Sequence, residues 1–277
     1  MAMIRLVVCD IDGTLLNSQH QIAPEDRAAL LALAARGIPV VLASGRARVR
    51  KTLDVIEELG LKTPGIFLQG ALVYDALGRV QHQHTLSPVV VADVVVRAAK
   101  QGCTPLLYSG EVVYAAREDT YTTHIYGLGE AQTTILPDFE RAALSHPINK
   151  LVIWGTADDM LPLRADIARR WGDAVRLVQA LPKSLSGMDA PNSLEVLPPG
   201  VNKGAALQEI LLDFRLVPEQ ALALGDGEND IELLQVAGVG VAMGNAPPEV
   251  QAVADWVAPD HDHAGVAAAL TRYVLGE

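Results

Sequence analysis

The sequence predicts an α/β fold: a doubly wound parallel sheet whose chain is interrupted by an inserted α+β lobe. Three observations lead there. Near the N-terminal end, short apolar runs alternate with helix-length amphipathic stretches; the same rhythm returns at the C-terminal end; and the segment between them, from about Val80 to Gly187, reads differently.

In chain order, Arg5 to Cys9 reads as a strand, Pro24 to Arg36 as a helix, Ile38 to Ala43 as a strand, Ala47 to Leu59 as a helix and Ile66 to Leu68 as a strand. Brief apolar runs separated by helical stretches are the mark of βαβ units. The pattern resumes with a helix at Lys203 to Leu212, a strand at Ala221 to Leu224, a helix at Asp230 to Val236 and a strand at Val239 to Met243, so both ends are expected to share one sheet. Between them lie strand-like pieces at Thr104 to Leu107, Val112 to Ala115 and Lys150 to Trp154, with helices at Pro88 to Lys100 and Met160 to Trp171. Ser, Gly and Pro gather at Leu86-Ser87-Pro88 and from Ser184 to Pro191, where hinges between domains would fall. The expected division is 1–83 with 189–277 for the core and 84–188 for the insertion.

Composition excludes several function classes. Half of the 277 residues are hydrophobic, enough for one large core and a modest second lobe. Lys and Arg number 22 against 33 Asp and Glu, a net charge of −11, so no basic field exists to gather nucleic acid or anionic lipid. The first apolar run is short and ends at Asp10 and Asp12, and no 18-residue apolar span occurs, so a cytoplasmic monomer or small homo-oligomer with no membrane partner is expected. Cys9 and Cys103 lie far apart without CxxC spacing, which offers neither a disulfide framework nor a zinc site.

Four polar sequences carry chemistry. Asp10-Ile11-Asp12-Gly13-Thr14 follows the first strand, placing two carboxylates at a strand's carboxyl end, where open α/β sheets bind ligands; Gly13 gives the chain freedom to turn so that both serve one site. An EF-hand is excluded because its sixth-position Gly and closing Glu are missing. Ser44-Gly45-Arg46 follows the second strand and is expected at a helix N-terminus, where a hydroxyl and free N–H groups bind phosphate or simply cap the helix. Val201-Asn202-Lys203-Gly204 opens a helix and offers a point positive charge. Gly225-Asp226-Gly227-Glu228-Asn229-Asp230 follows another strand with the hard oxygen ligands that suit Mg²⁺, although Gly, Asn and Asp also favour plain turns. All four fall on the single rim that a parallel sheet creates, and that convergence distinguishes a site from four turns.

These residues, DIDGTLL, SGR, the NKG lysine and GDGENDIELL followed by GVGVAMGNAPPEV, resemble the haloacid dehalogenase superfamily, most closely its Cof-like phosphatases. The resemblance covers nearly the whole chain. It implies a Rossmann-like core with an α/β (C2-type) cap inserted between the second and third motifs. It further implies that Asp10 is the nucleophile and Asp12 the general acid and base, with Ser44, Gly45, Lys203 and Asn229 holding phosphate. Mg²⁺ would sit among Asp10, Asp12 (through its backbone carbonyl) and Asp226, supported by Asp230. In one place the chain departs from the pattern: Gln69-Gly70-Ala71 stands where the family commonly has Asn-Gly-Ala, and no role is carried onto Gln69.

The expected function is therefore an Mg²⁺-dependent phosphomonoester hydrolase acting on a small phosphorylated metabolite, a sugar phosphate above all, through an aspartyl phosphate on Asp10. A sugar phosphomutase would use the same nucleophile and metal, and a binding protein without turnover would keep the fold alone; isomerised product marks the first, absence of phosphate release the second. His82-Gln83-His84 and His261-Asp262-His263 have a spacing that grips transition metals, yet neither brings a third ligand. The glycines at 238, 240 and 244 miss the GxGxxG spacing, since its sixth position falls on Met243.

Overall fold

The computed structural model describes residues 3–136, 138–180 and 192–276. Two compact units emerge, one formed by Met1–Gly45, Asp54–His82 and Asn202–Glu277, the other by Arg46–Leu53 and Gln83–Val201.

In the first unit, side chains of the strand Leu6–Asp10 alternate between two apolar layers. Leu6 and Val8 join Val41, Ala221, Ala223 and the helical residues Leu207 and Leu234; Val7 and Cys9 join Val40, Leu42, Leu222, Leu224 and the helical Leu30 and Leu33. With both faces covered, each strand reads as an unbroken apolar run, which is why the βαβ rhythm was visible. The sheet has eight strands in the order Trp256–Val257, Val239–Ala242, Ala221–Gly225, Leu6–Asp10, Val40–Ala43, Gly65–Phe67, Leu72–Tyr74 and Val80–Gln83. Pairing is parallel as far as Gly65–Phe67, and Leu72–Tyr74 then pairs antiparallel to it. From Leu6–Asp10 the chain moves to Val40–Ala43 on one side, whereas from Ala221–Gly225 it moves to Val239–Ala242 on the other, so the strand order reverses between Leu6–Asp10 and Ala221–Gly225 and opens a crevice at the strands' carboxyl ends.

One helix differs from expectation. The stretch predicted over Ala47 to Leu59 becomes helical only at Lys51–Glu58. Arg50 adopts φ 38, and the Thr52 hydroxyl accepts from the Val49 N–H at 2.9 Å while donating to the Ala47 carbonyl at 2.9 Å, replacing the helical ladder with a side-chain turn.

Among the described residues the second unit holds a six-stranded sheet in the order Arg176–Ala180, Asn192–Leu197, Lys150–Gly155, Thr104–Ser109, Val112–Ala115 and Thr134–Ile135, antiparallel except for the last pair. The helices Pro88–Lys100, Phe139–Ser145 and Ala157–Trp171 supply a separate apolar core with Leu107, Leu151, Ile153, Leu194 and Val196. Asn192–Leu197, which the sequence division placed on the core side of residue 189, is a strand of this sheet, and Arg46–Leu53, also placed in the core, groups here too. Arg46 donates to the carbonyl of Leu128, and Arg50 to that of Tyr126 at 2.8 Å, so two cations meet the negative end of the helix Thr120–Gly127. The expected hinge from Ser184 to Pro191 and the boundary at 188/189 lie outside the described residues. Among the described residues, no helix is long and apolar enough to cross a membrane.

Candidate active site

The first strand delivers Asp10 to the crevice as its last residue, 5% exposed and in register with Ala43 of the next strand. The chain turns at once: the Leu16 N–H meets the Ile11 carbonyl at 2.9 Å, Asp12 bridges to Leu16, and Gly13 takes φ 87. Side chains avoid that φ, and a Cβ on Gly13 would run into the Asp226 carboxylate, so glycine is what lets the two loops close on each other.

Asn202 caps the helix Lys203–Phe214 by accepting the Ala205 N–H at 2.8 Å, which fixes Lys203 as its first residue. Lys203 Nζ donates to Asp10 Oδ1 and, at 2.6 Å, to Asp230 Oδ1. The other Asp230 oxygen accepts the N–H groups of Asp226, at 3.1 Å, and Gly227, at 2.9 Å, closing the Gly225–Asp230 loop on its own carboxylate. Asp226 accepts from the Thr14 hydroxyl at 3.2 Å and from Asn245 Nδ2 at 3.1 Å; the same Asn245 nitrogen donates to the Gly13 carbonyl at 2.8 Å.

Charge and burial oppose each other here. Burial pushes the Asp10 carboxyl well above the usual carboxylate range; Lys203 pulls it down, while Asp230 and Asp226 push it further up. Burial alone would lower Lys203, and Asp10 with Asp230 more than reverses that, so its ammonium is held protonated. Carboxylate oxygens of Asp10, Asp226 and Asp230 all lie within 4.8 Å of one another, and all three residues are buried. One ammonium holds Asp10 and Asp230 while Asp226 adds a third carboxylate, leaving a negative, hard-oxygen set of the kind Mg²⁺ takes. Asp12 is outside that carboxylate group and half-buried in the turn. Asp230 has both oxygens engaged by Lys203 and by its own loop, so it braces the arrangement.

Ser44 follows its strand, 1% exposed, with its N–H on the Ile66 carbonyl at 2.8 Å and its carbonyl accepting the Gln69 N–H at 3.1 Å. The expected helix N-terminus is not at Ser44: six residues separate it from Lys51. Gly45 is occluded by the Gln69 amide, and Gln69 Oε1 accepts from Asn229 Nδ2 at 2.9 Å. The structure thus joins Asp10, Lys203, Asp226 and Asp230 directly, and links Gly45 to Asn229 through Gln69.

Sequence reasoning assigned nothing to Thr14, Asn245 and Gln69. Thr14 belongs to the first motif and is fully buried, which a hydroxyl after a glycine turn signals weakly; Asn245 stands in a GNA turn whose partners only the fold reveals. Neither histidine pair enters a metal-capable cluster among the described residues. His82 Nε2 meets Asp213 at 2.7 Å, and His263 Nδ1 meets Asp260 at 2.6 Å.

The chain is similar to known proteins along nearly its whole length. The family model of haloacid dehalogenase-like hydrolases matches residues 7–270. Phosphatase YwpJ of Bacillus subtilis is 28% identical over 283 residues, covering 95% of this chain and 98% of that protein. The chloroplastic endoribonuclease YBEY of Arabidopsis thaliana is 30% identical over 279 residues, covering 97% of this chain and 46% of the plant protein, so the chain spans about half that relative's length. A crystal structure of a haloacid dehalogenase-like hydrolase from Bacteroides thetaiotaomicron superposes with a TM-score of 0.84 at 27% identity, covering 97% of this chain and 99% of that one. With the match running through both units and through every loop of the crevice, the chain belongs to the haloacid dehalogenase-like hydrolase family.

Proposed function

We propose that the protein is an Mg²⁺-dependent phosphatase that cleaves monoesters of small metabolites, sugar phosphates above all, with Asp10 as nucleophile. The observation that carries this reading is the buried meeting of Lys203 with Asp10 and Asp230 beside Asp226. The 28% identity to a phosphatase over almost its whole length supports it.

In the first half-reaction an Asp10 oxygen attacks phosphorus as the bond to the leaving oxygen breaks. The departing alkoxide keeps the electron pair and takes a proton from the Asp12 carboxyl. In the second, water attacks the aspartyl phosphate, Asp12 accepts its proton, and orthophosphate leaves Asp10 as a free carboxylate. Lys203 offsets charge on Asp10 and the phosphoryl oxygens, with Ser44, Gly45 and Asn229 as further donors. Mg²⁺ held by Asp10, Asp226 and the Asp12 carbonyl, with Asp230 behind them, would lower the repulsion between a carboxylate nucleophile and a dianionic phosphate. Exchanging the inserted unit should exchange substrate preference.

The test is a panel of phosphorylated metabolites, including sugar phosphates and a diphosphate ester, assayed for orthophosphate release with Mg²⁺ and with excess chelator. Metal-dependent release with highest kcat/KM on sugar phosphates is expected. Full turnover after exhaustive metal removal, or isomerised sugar phosphate without net release, would overturn the reading.

A further inference from the structure

We infer that Gln69 is a positioning residue for the phosphoryl group: it fixes the amide of Asn229 and, braced on Gly45, sets the spacing between the two loops that hold phosphate. The inference rests on the proposed phosphate-holding roles of Ser44, Gly45 and Asn229.

Leu68 and Gln69 follow one another with φ 51 and φ 61, both in the left-handed region that side chains avoid. Their surroundings enforce it. The Gln69 N–H is tied to the Ser44 carbonyl at 3.1 Å, the Ala71 N–H to the Leu68 carbonyl at 3.1 Å, and Gly70, at φ 98, lies against the Asn202 carbonyl with no room for a Cβ. Backbone held against its preference calls for a functional explanation. This turn carries the Gln69 side chain over Gly45 and on to Asn229.

A Cβ added to Gly45 would lie 2.6 Å from Gln69 Nε2, so the nitrogen end of the amide fills the space that glycine leaves. The oxygen end accepts from Asn229 Nδ2 at 2.9 Å. If Asn229 flipped, its own carbonyl oxygen would face Gln69 Oε1, two acceptors with no hydrogen between them. The two amides are therefore coupled: with Gln69 Oε1 turned to Asn229, Asn229 Nδ2 donates to it and its second N–H is aimed away from Gln69. An Asn at this position would be one methylene short of the same partner, which gives a physical reason for the longer residue where the family commonly has Asn.

Outer-sphere hydrogen bonds of this kind typically alter affinity or activity by about 10- to 100-fold. The experiment compares wild type with Gln69→Leu, Gln69→Asn, Asn229→Ala and Gln69→Leu/Asn229→Ala, using para-nitrophenyl phosphate and an alkyl phosphate as substrates and orthophosphate as inhibitor. Each variant's thermal midpoint checks folding. For Gln69→Leu we expect kcat/KM to fall about 10- to 100-fold by the same factor on both substrates, and orthophosphate inhibition to weaken comparably. Gln69→Asn should lose in the same direction, and the double variant should be no worse than Asn229→Ala alone. A loss confined to one leaving group, additive losses in the double variant, or wild-type orthophosphate inhibition in Gln69→Leu while Asn229→Ala weakens it would overturn the inference. Unchanged orthophosphate inhibition in Asn229→Ala would instead sink the underlying assignment of Asn229, and the inference with it.

Discussion

Lys203 reaches Asp10 across 193 residues of sequence, and its ammonium donates to Asp10 Oδ1 with both residues buried. Removing one member of a buried ion pair leaves the other charge uncompensated, at a cost of about 3–5 kcal/mol. Lys203→Met should therefore lower both stability and turnover, the latter by about 10²- to 10³-fold, as when a preorganised electrostatic group is lost. Asp10→Asn should do the reverse for stability: with chelator present it should melt above wild type, because the site loses a desolvated charge while Lys203 keeps Asp230. Calorimetry in chelator that ranks Asp10→Asn below wild type would contradict this account of the charge balance.

Asp10 and Asp12 are separated by one residue but assigned different chemistry. Asp10→Asn should form no phosphoenzyme. Asp12→Asn keeps the nucleophile and loses proton transfer, so turnover of an alkyl phosphate should fall by about 10²- to 10⁴-fold. With para-nitrophenyl phosphate, whose phenolate leaves without a proton, the adduct should accumulate in Asp12→Asn. Intact-mass measurement after rapid quench can see it. An adduct in folded Asp10→Asn and none in Asp12→Asn would reverse the assignment.

Asn245 donates to both Asp226 and the Gly13 carbonyl, so it aims one carboxylate of the proposed metal site. Asn245→Ala should weaken Mg²⁺ affinity about 10- to 100-fold while leaving kcat at saturating Mg²⁺ within a few-fold of wild type. Isothermal titration with Mg²⁺, without substrate, reads the affinity directly. Unchanged affinity with a large fall in kcat would place Asn245 elsewhere in the reaction.

Asp26 gives the stability a pH dependence of its own. It is fully buried, accepts the Ala267 N–H at 2.7 Å through Oδ1, and its Oδ2 has no hydrogen-bond partner. Burial raises its pKa from 3.8 to about 6, against the pull of the Ala267 bond. A folded-state value above the unfolded one means that the neutral acid favours the fold. That contribution is complete below about pH 4 and is lost as pH rises through about 6, a change of about 3 kcal/mol for two units. Asp26→Asn should flatten the wild-type decline in urea midpoint between pH 4 and pH 7. Parallel pH profiles for the two proteins would rule this source out.

What the sequence determined by itself follows from period and composition. Strands covered on both faces must be apolar throughout, so Leu6–Asp10, Val40–Ala43 and Ala221–Gly225 were legible as strands, and the carboxylates and lysine at their ends or at the next helix start were legible as one rim. Edge and cap elements were harder. Val80–Gln83 is exposed and polar, and Arg176–Ala180 and Asn192–Leu197 are mixed in character, so no apolar run announced them. Tertiary structure alone decided what depends on one side chain meeting another far along the chain. Thr14 and Asn245 on Asp226, Asp230 folded back on its own loop, and Gln69 on Asn229 are hydrogen bonds fixed by distance and direction, and neither has a signature in local sequence. The late start of the helix at Lys51 belongs with them, because it turns on the Thr52 hydroxyl and on Arg50 reaching the end of the helix Thr120–Gly127, a partner that hydrophobic periodicity does not encode.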